Sequence, residues 1–312
     1  MYLFSNILGI FVFNNEFKVV DEILFKDIEA YKNKEKTIEI IKNKHKNLKE
    51  PGEKEFKNIL LHFKNKKFLI DFHDKNLELT KSDVKNSVND DVLLIQATKS
   101  VDELDKAINL MAKRLREWYE LYNPETSRAI ENHEEFVGAI LEKEKSELFN
   151  DLKIDASSSI GADLEQEDLE PIRSLIHQIH DLYQLRKAQL EYISALMDGL
   201  CPNVKAVCDV AVGAKLIEHA GSLKRLSEMP SSTVQILGAE KALFRHMKTG
   251  AKPPRHGVIV SHVLIAGVPD KMHGRVARAL ADKISIAAKV DYFRGKFIGD
   301  KLRKMLEDKF SR

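Results

Sequence analysis

Residues 171–200 read PIRSLIHQIHDLYQLRKAQLEYISALMDGL, and the spacing inside this stretch decides the fold class. Ile172, Ile176, Ile179, Tyr183, Arg186, Leu190, Ile193, Met197 and Leu200 recur at alternating intervals of four and three residues, the period of a coiled-coil seam interrupted in character only by Arg186. Leu175, Leu182 and Leu196 flank that seam, so the apolar stripe is wider than contact with one helix requires. A hairpin of helices around the loop at 156–161 can cover one side, and a second copy of the chain the other. A monomeric helical bundle satisfies the same periodicity.

Upstream, Val101, Leu104, Ile108, Met111, Leu115 and Trp118 keep three- and four-residue spacings and predict another long helix, ended by Asn123-Pro124. A further helix is expected from about Glu125 to Leu152, then a turn-rich loop from Ala156 to Gly161, with the seam helix starting between Asp163 and Pro171. The first hundred residues follow a different pattern. Residues 2–25 predict two strands rich in Phe, Val and Ile, joined at Asn14-Asn15, a pair that tolerates the positive φ of a tight turn. Ile28, Tyr31, Ile38 and Ile41 set among lysines predict a helix over 27–48 that stops before Pro51-Gly52, and a second helix is expected over 53–64. The short apolar runs Phe68 to Phe72 and Val92 to Ala97 read as further strands. The chain thus divides into a small α/β domain over 1–100, long helices over 101–205 and a third part over 206–312.

At 312 residues, the chain is long enough for about two domains or an elongated three-part molecule. Its 50 Lys and Arg against 48 Asp and Glu leave a net charge of +2, which hides a partition. Residues 1–100 hold 18 Lys, no Arg and 16 acids; residues 101–200 hold 11 bases and 22 acids; residues 201–312 hold 21 bases and 10 acids. A basic end beside an acidic middle is the footprint of a nucleic-acid or phosphate partner bound at one end. Cys201 and Cys208 are too few for a disulfide framework, and reduced thiols are expected. The apolar start at Met1 to Phe13 lacks the positive flank of a signal peptide, and Gly257 to Val268 is too short to span a bilayer, so no membrane association is expected.

Chemistry-bearing patterns are few. No Gly-x-Gly-x-x-Gly follows a strand, no Walker motif occurs, and no Gly-x-Ser-x-Gly elbow is present. His177, His180 and Asp181 have the spacing of helical metal ligands and would serve a helical metal-dependent RNA-processing or phosphohydrolase enzyme. The seam register turns His177 and His180 outward or along the flank, where solvated polar groups are the better account. The last third offers more. Gly238 opens a short helix that carries Lys241, Arg245 and Lys248 on one face, and the loop from Thr249 to Gly257 adds Lys252, Arg255 and His256, stiffened by Pro253-Pro254. Helix-terminal N–H groups bind phosphate, Lys and Arg neutralise it, and Arg or His planes stack on unpaired bases.

At these residues the sequence resembles the Nop-domain family, scaffold proteins of C/D-box RNA-guided methylation particles. The resemblance rests on Gly238-Ala-Glu-Lys241 followed by ALFRHMKTG and Pro253-Pro-Arg-His-Gly257, on Gly221-Ser-Leu-Lys-Arg-Leu-Ser-Glu-Met-Pro230 ahead of them, and on Gly274-Arg-Val-Ala-Arg-Ala-Leu-Ala-Asp-Lys283 with Ala287-Ala-Lys-Val-Asp291 behind. It implies a mainly α fold: a small N-terminal α/β domain, a long antiparallel helical coiled coil and a helical C-terminal Nop domain. It further implies a non-catalytic scaffold in the cytoplasm of an archaeal cell. The N-terminal domain binds fibrillarin, which holds S-adenosylmethionine, while this chain needs no cofactor and no metal. The coiled coil forms a homodimer through Ile172, Ile176, Ile179, Tyr183, Leu190, Ile193 and Met197, and the Nop domain takes C/D-box guide RNA with a kink-turn-binding ribosomal-type protein. The RNA residues it implies by motif are Gln235, Lys241, Arg255, Arg278 and Lys289, which join Gly238, Arg245, Lys248, Lys252 and His256 of the basic helix and loop as the candidate RNA-binding set. The family's spliceosomal cousin has a His packed on RNA at the position of Arg255 and phosphate-contacting arginines at those of Arg278 and Lys289. Glu228 stands where that cousin has a basic residue, which passes the contact to Lys224 or Arg225.

Overall fold

The computed structural model describes residues 1–45 and 47–310, which form two compact units, Met1–Asn89 and the chain from Asp90 onward. The residue-100 boundary expected from the sequence falls inside a helix of the second unit.

In the first unit three antiparallel strands, β1 (Tyr2–Ser5), β2 (Gly9–Phe13) and β3 (Val19–Leu24), lie in the order β1-β2-β3. The expected hairpin therefore has a third strand, and an Asn side chain organises each turn. Asn6 Oδ1 accepts from the N–H groups of Leu8 (2.9 Å) and Gly9 (3.3 Å), and Asn14 Oδ1 from those of Glu16 and Lys18 (both 2.9 Å). The positive φ of the second turn falls on Phe17 (61°) rather than on Asn15, and the Phe17 ring stacks on Tyr2. Strand β2 is buried on both faces because side chains alternate across it: Phe11 and Phe13 pack with Ile7, Leu8 and Ile59, while Ile10 and Val12 pack with Phe25 and Ile41. Helices cover the two faces. The expected helix at 27–48 is α1 (Ile28–Lys32) and α2 (Lys34–Lys44), interrupted at Asn33, and α3 spans Glu53–His62. The run Phe68 to Phe72, expected as a strand, lies in α4 (Lys66–Asn86), with Phe68 and Leu79 against the sheet and Leu69, Ile70 and Phe72 exposed. Five apolar residues do not distinguish a strand from one turn of helix.

The second unit begins with α5 (Asp90–Tyr119), which absorbs the expected strand Val92 to Ala97. Leu94, Ala97, Thr98 and Val101 are buried at helical spacing while Val92 and Leu93 are exposed, so the run is one face of a helix. The expected helix from Glu125 to Leu152 is three: α6 (Pro124–Ala129), α7 (His133–Glu142) and α8 (Lys145–Asp151). Caps at Asn123, Asn132 and Glu144 start each one. Arg116 gathers the carbonyls freed between α6 and α7, donating to those of Ser127 (2.6 Å), Ile130 (2.7 Å), Glu131 (2.9 Å) and Asn132 (3.1 Å). Its Nε also donates to His133 Nδ1 (2.8 Å), and its plane lies 4.3 Å over the Phe136 ring.

The seam helix is α9 (Gln166–Leu200), and its partner is α5. Leu115 and Tyr119 share a core with Ile172, Ile176 and Ile179, while Leu94, Ala97 and Val101 share one with Ile193 and Met197, so the helices run antiparallel. Arg186 pairs with Asp105 across the seam between the two cores, which accounts for the charged residue in the heptads. The body packs around α10 (Pro202–Ala220), which breaks at Asp209 (φ 63°), where Arg303 holds the carboxylate at 2.8 Å. Around it lie α11 (Leu223–Glu228), α12 (Ser231–Ile236), α13 (Glu240–Thr249), α14 (Val263–Ala266), α15 (Asp270–Tyr292) and α16 (Gly299–Phe310). Among the described residues no helix is long and apolar enough to cross a membrane.

Candidate nucleic-acid interface

One open cleft in the second unit is lined by α12 (Ser231, Gln235), the proline loop (Pro253, Pro254, Arg255), α15 (Arg275, Arg278, Asp282) and the last turn of α16 (Lys309). It brings together Gln235, Arg255 and Arg278, which lie far apart in sequence. Arg275 and Arg278 are both exposed, one helical turn apart, and neither forms an ion pair with a described residue. Opposing carboxylates are few. Asp282 pairs with Lys283 at 3.2 Å, and Asp270, the first residue of α15, lies 3.5 Å from Arg255 Nη1 and 3.2 Å from His273 Nδ1. Four cations on one concave wall make a focused positive field suited to a phosphate backbone.

The proline loop is held at both ends. Behind it, Gly238 (φ 85°) turns the chain, and a Cβ there would lie 2.4 Å from Val258 Cγ2. Ahead of it, His246 Nδ1 donates to the Ala251 carbonyl. Gln235 Nε2 donates to the Arg255 carbonyl at 2.7 Å, and Gly257 N–H donates to the Gln235 carbonyl at 2.8 Å. Gly257 lies so close that a Cβ would sit 1.9 Å from the Leu237 carbonyl oxygen. His256 is half-buried, its ring centroid 6.0 Å from that of His273.

The other expected RNA residues lie outside the cleft. Lys241, Arg245 and Lys248 are exposed on α13, a helix with no buried residue, and Lys252 is exposed in the loop. The start of α13 is not an open phosphate seat, because Glu240 Oε1 accepts from Gly238 N–H at 2.7 Å. Burial pushes the Glu240 carboxyl up, but the N–H groups of Gly238 and Glu240 outweigh it and hold it below its ordinary value. Lys289 is exposed three turns beyond Arg278 on α15, roughly 16 Å away at helical rise. Lys224 and Arg225 are exposed on α11.

A protein-family model described as "Nop: snoRNA binding domain, fibrillarin" matches residues 100–312, which hold the whole of this cleft. The chain belongs to the Nop family. It is 39% identical over 249 residues to an uncharacterised NOP5 family protein of Methanocaldococcus jannaschii, covering 75% of this chain and 60% of that one. It is 37% identical over 254 residues to nucleolar protein 56 of Bos taurus and likewise of Homo sapiens, covering 74% of this chain and 43% of each relative. It therefore spans three fifths of the archaeal relative's length and under half of the animal ones. The solved structure of a fibrillarin/Nop5p complex includes a chain matched over 99% of this one and 98% of itself, at 21% identity and a TM-score of 0.45.

Within the Nop chain, the seam residues expected to join two copies, Ile172, Ile176, Ile179, Ile193 and Met197, are buried by α5, α7 and α10 of the same chain, and Tyr183 and Leu190 are partly buried in the same cores. The large exposed apolar side chains of α9 among the described residues are Leu185 and Tyr192, seven apart on another stripe. His177 is exposed at the rim of a cavity lined by Tyr119, Tyr122 and Arg173, His180 lies 3.4 Å from Gln184, and Asp181 is exposed. Among the described residues no three His, Cys, Asp or Glu side chains could hold a metal. Burial pushes the thiols of Cys201 and Cys208 well above the ordinary range, which leaves them unreactive. Ser231, Arg275 and Lys309 were not singled out from the sequence. Arg275 carried one signal, its single-turn spacing from Arg278, and Lys309 none, because only the fold returns α16 to α15.

Proposed function

We propose that this chain is a non-catalytic scaffold of a C/D-box guide ribonucleoprotein in the cytoplasm of an archaeal cell. Its N-terminal unit takes fibrillarin, and its C-terminal helical domain takes guide RNA with a kink-turn-binding protein already in place. Fibrillarin holds S-adenosylmethionine and transfers the methyl group to a ribose 2′-hydroxyl of rRNA or tRNA, while this chain carries no cofactor and fixes the separation of enzyme and guide duplex. Self-association is assigned to the outer stripe of α9 at Leu185 and Tyr192, since the inner seam is occupied.

The observation that carries this reading is the gathering of Gln235, Arg255, Arg275, Arg278 and Lys309 at one cleft inside the stretch that the Nop family model matches. The test is reconstitution of ribose methylation from the full chain, guide RNA, kink-turn protein, fibrillarin and S-adenosylmethionine. Methylation is expected from the complete set, with loss when this chain is withheld. RNA turnover or methylation by the chain alone, or unchanged methylation without it, overturns the proposal.

A further inference from the structure

We infer that Gln235 is a positioning residue for Arg255 rather than a contact to RNA. The inference rests on the proposed function only for what Arg255 touches; the positioning itself is a property of the free protein. Residues 252–254 offer the loop little internal support. Pro253 and Pro254 have no N–H to donate, and their rings set φ without setting where the loop lies. The segment hangs between two attachments, His246 at Ala251 and Gln235 at Arg255 and Gly257. Gln235 is attached through both its groups: its main-chain carbonyl accepts from Gly257, and its side-chain amide donates to the carbonyl of Arg255 at 2.7 Å.

Fixing that carbonyl fixes the Arg255 Cα, from which the side chain enters the lining of the cleft that Arg275 and Arg278 share. Nothing else on the Arg255 side chain does so, since its ion partner Asp270 is 3.5 Å away and both side chains are largely exposed. With one N–H on the Arg255 carbonyl, the Gln235 amide keeps its second N–H and its Oε1, so the strap and an RNA contact are told apart by the test below. Replacing the side chain removes one strap and leaves the Gly257 attachment intact, because the latter uses the backbone.

The experiment has two arms, each with parent, Gln235→Ala, Gln235→Glu and Arg255→Ala full-length proteins. In the free protein, trypsin cleaves after Arg255, whereas the bond after Lys252 precedes a proline and resists. Losing the strap should raise cleavage after Arg255 roughly fivefold or more in both Gln235 variants, with the thermal midpoint unchanged. Gln235→Glu keeps the size but has no N–H to donate, so it should match the alanine variant. Cleavage equal to the parent's in both variants overturns the inference.

In the second arm, binding to a guide RNA with bound kink-turn protein is titrated. Gln235→Ala and Arg255→Ala should each weaken it by roughly five- to a hundredfold, and the double variant should be no weaker than Arg255→Ala alone. Additive losses would make Gln235 an independent RNA contact and reject the inference. A parent that fails to bind RNA rejects the proposed function instead, and the cleavage arm still decides the positioning role.

Discussion

The carboxylate of Asp291 closes the start of α10 from the far end of α15. Its Oδ1 accepts from Asn203 N–H (3.1 Å) and Asn203 Nδ2 (2.6 Å), its Oδ2 from Val204 N–H (2.9 Å), and Asn203 Oδ1 in turn accepts from Ile298 N–H (2.6 Å). Helix α10 begins Pro202-Asn203-Val204, so the donors satisfied are the N-terminal amides that a helix cannot pair within itself. Burial pushes the Asp291 carboxyl above its ordinary value, and the bonds from Val204 and Asn203 oppose it. Asp291→Asn keeps the shape but turns one acceptor into a donor facing donors. It should cost roughly 1 to 3 kcal/mol in urea unfolding, and an unchanged midpoint would show that water replaces the cap. Asp21 is the corresponding tie in the first unit. Bonds from Lys44 (2.7 Å) and His45 Nε2 (2.8 Å) hold its carboxyl at about 2 against an ordinary 3.8. A depressed folded value contributes stability that is present above 3.8 and lost as the pH falls through about 2. Acid unfolding of Asp21→Asn should therefore show its deficit against the parent shrinking across that window. Neither tie is legible in the sequence, because both join residues far apart in the chain with no pattern between them.

At the level of single elements, α9 was legible and its partner was not. Four-three spacing over nine positions leaves one structure open to it, but periodicity records only that a face is covered. The covering helix is α5, reached by way of α6, α7 and α8, whose boundaries depend on local caps and on the Arg116 side chain. The same limit hid α4 and the start of α5, where short apolar runs fit a strand as well as a helix. Because the seam is internal, Ile193→Asp should act on the folding of one chain, with a loss of roughly 3 kcal/mol or more in urea unfolding at every protein concentration. Leu185→Asp, on the exposed stripe, should leave that stability within about 0.5 kcal/mol and lower the assembly state seen by sedimentation. Reversed results would place the intermolecular face on the seam.

Across the whole molecule, the charge partition pointed to the end that carries the cleft but not to the cleft itself. The last 112 positions carry 21 of the 50 bases, yet those that meet in the cleft come from one loop and two later helices, an assembly visible only in three dimensions. This separates two kinds of cation. Lys289 and Lys309 are exposed, and each neutralised phosphate releases about one counterion, so Lys309→Ala should weaken RNA assembly and lower the salt slope by roughly one unit. Arg255 starts with a carboxylate, Asp270, already at 3.5 Å. Its release onto RNA trades one anion for another, so Arg255→Ala should lower affinity with a smaller change of slope than Lys309→Ala. Asp270→Asn should move the two together, because Arg255 then enters the complex unpaired and its replacement should cost close to a full unit of slope. Binding titrations at several salt concentrations for these variants, singly and with Asp270→Asn, measure the difference. Equal slopes for Arg255→Ala and Lys309→Ala in the parent background would make Arg255 one more phosphate contact, whatever its place in the loop.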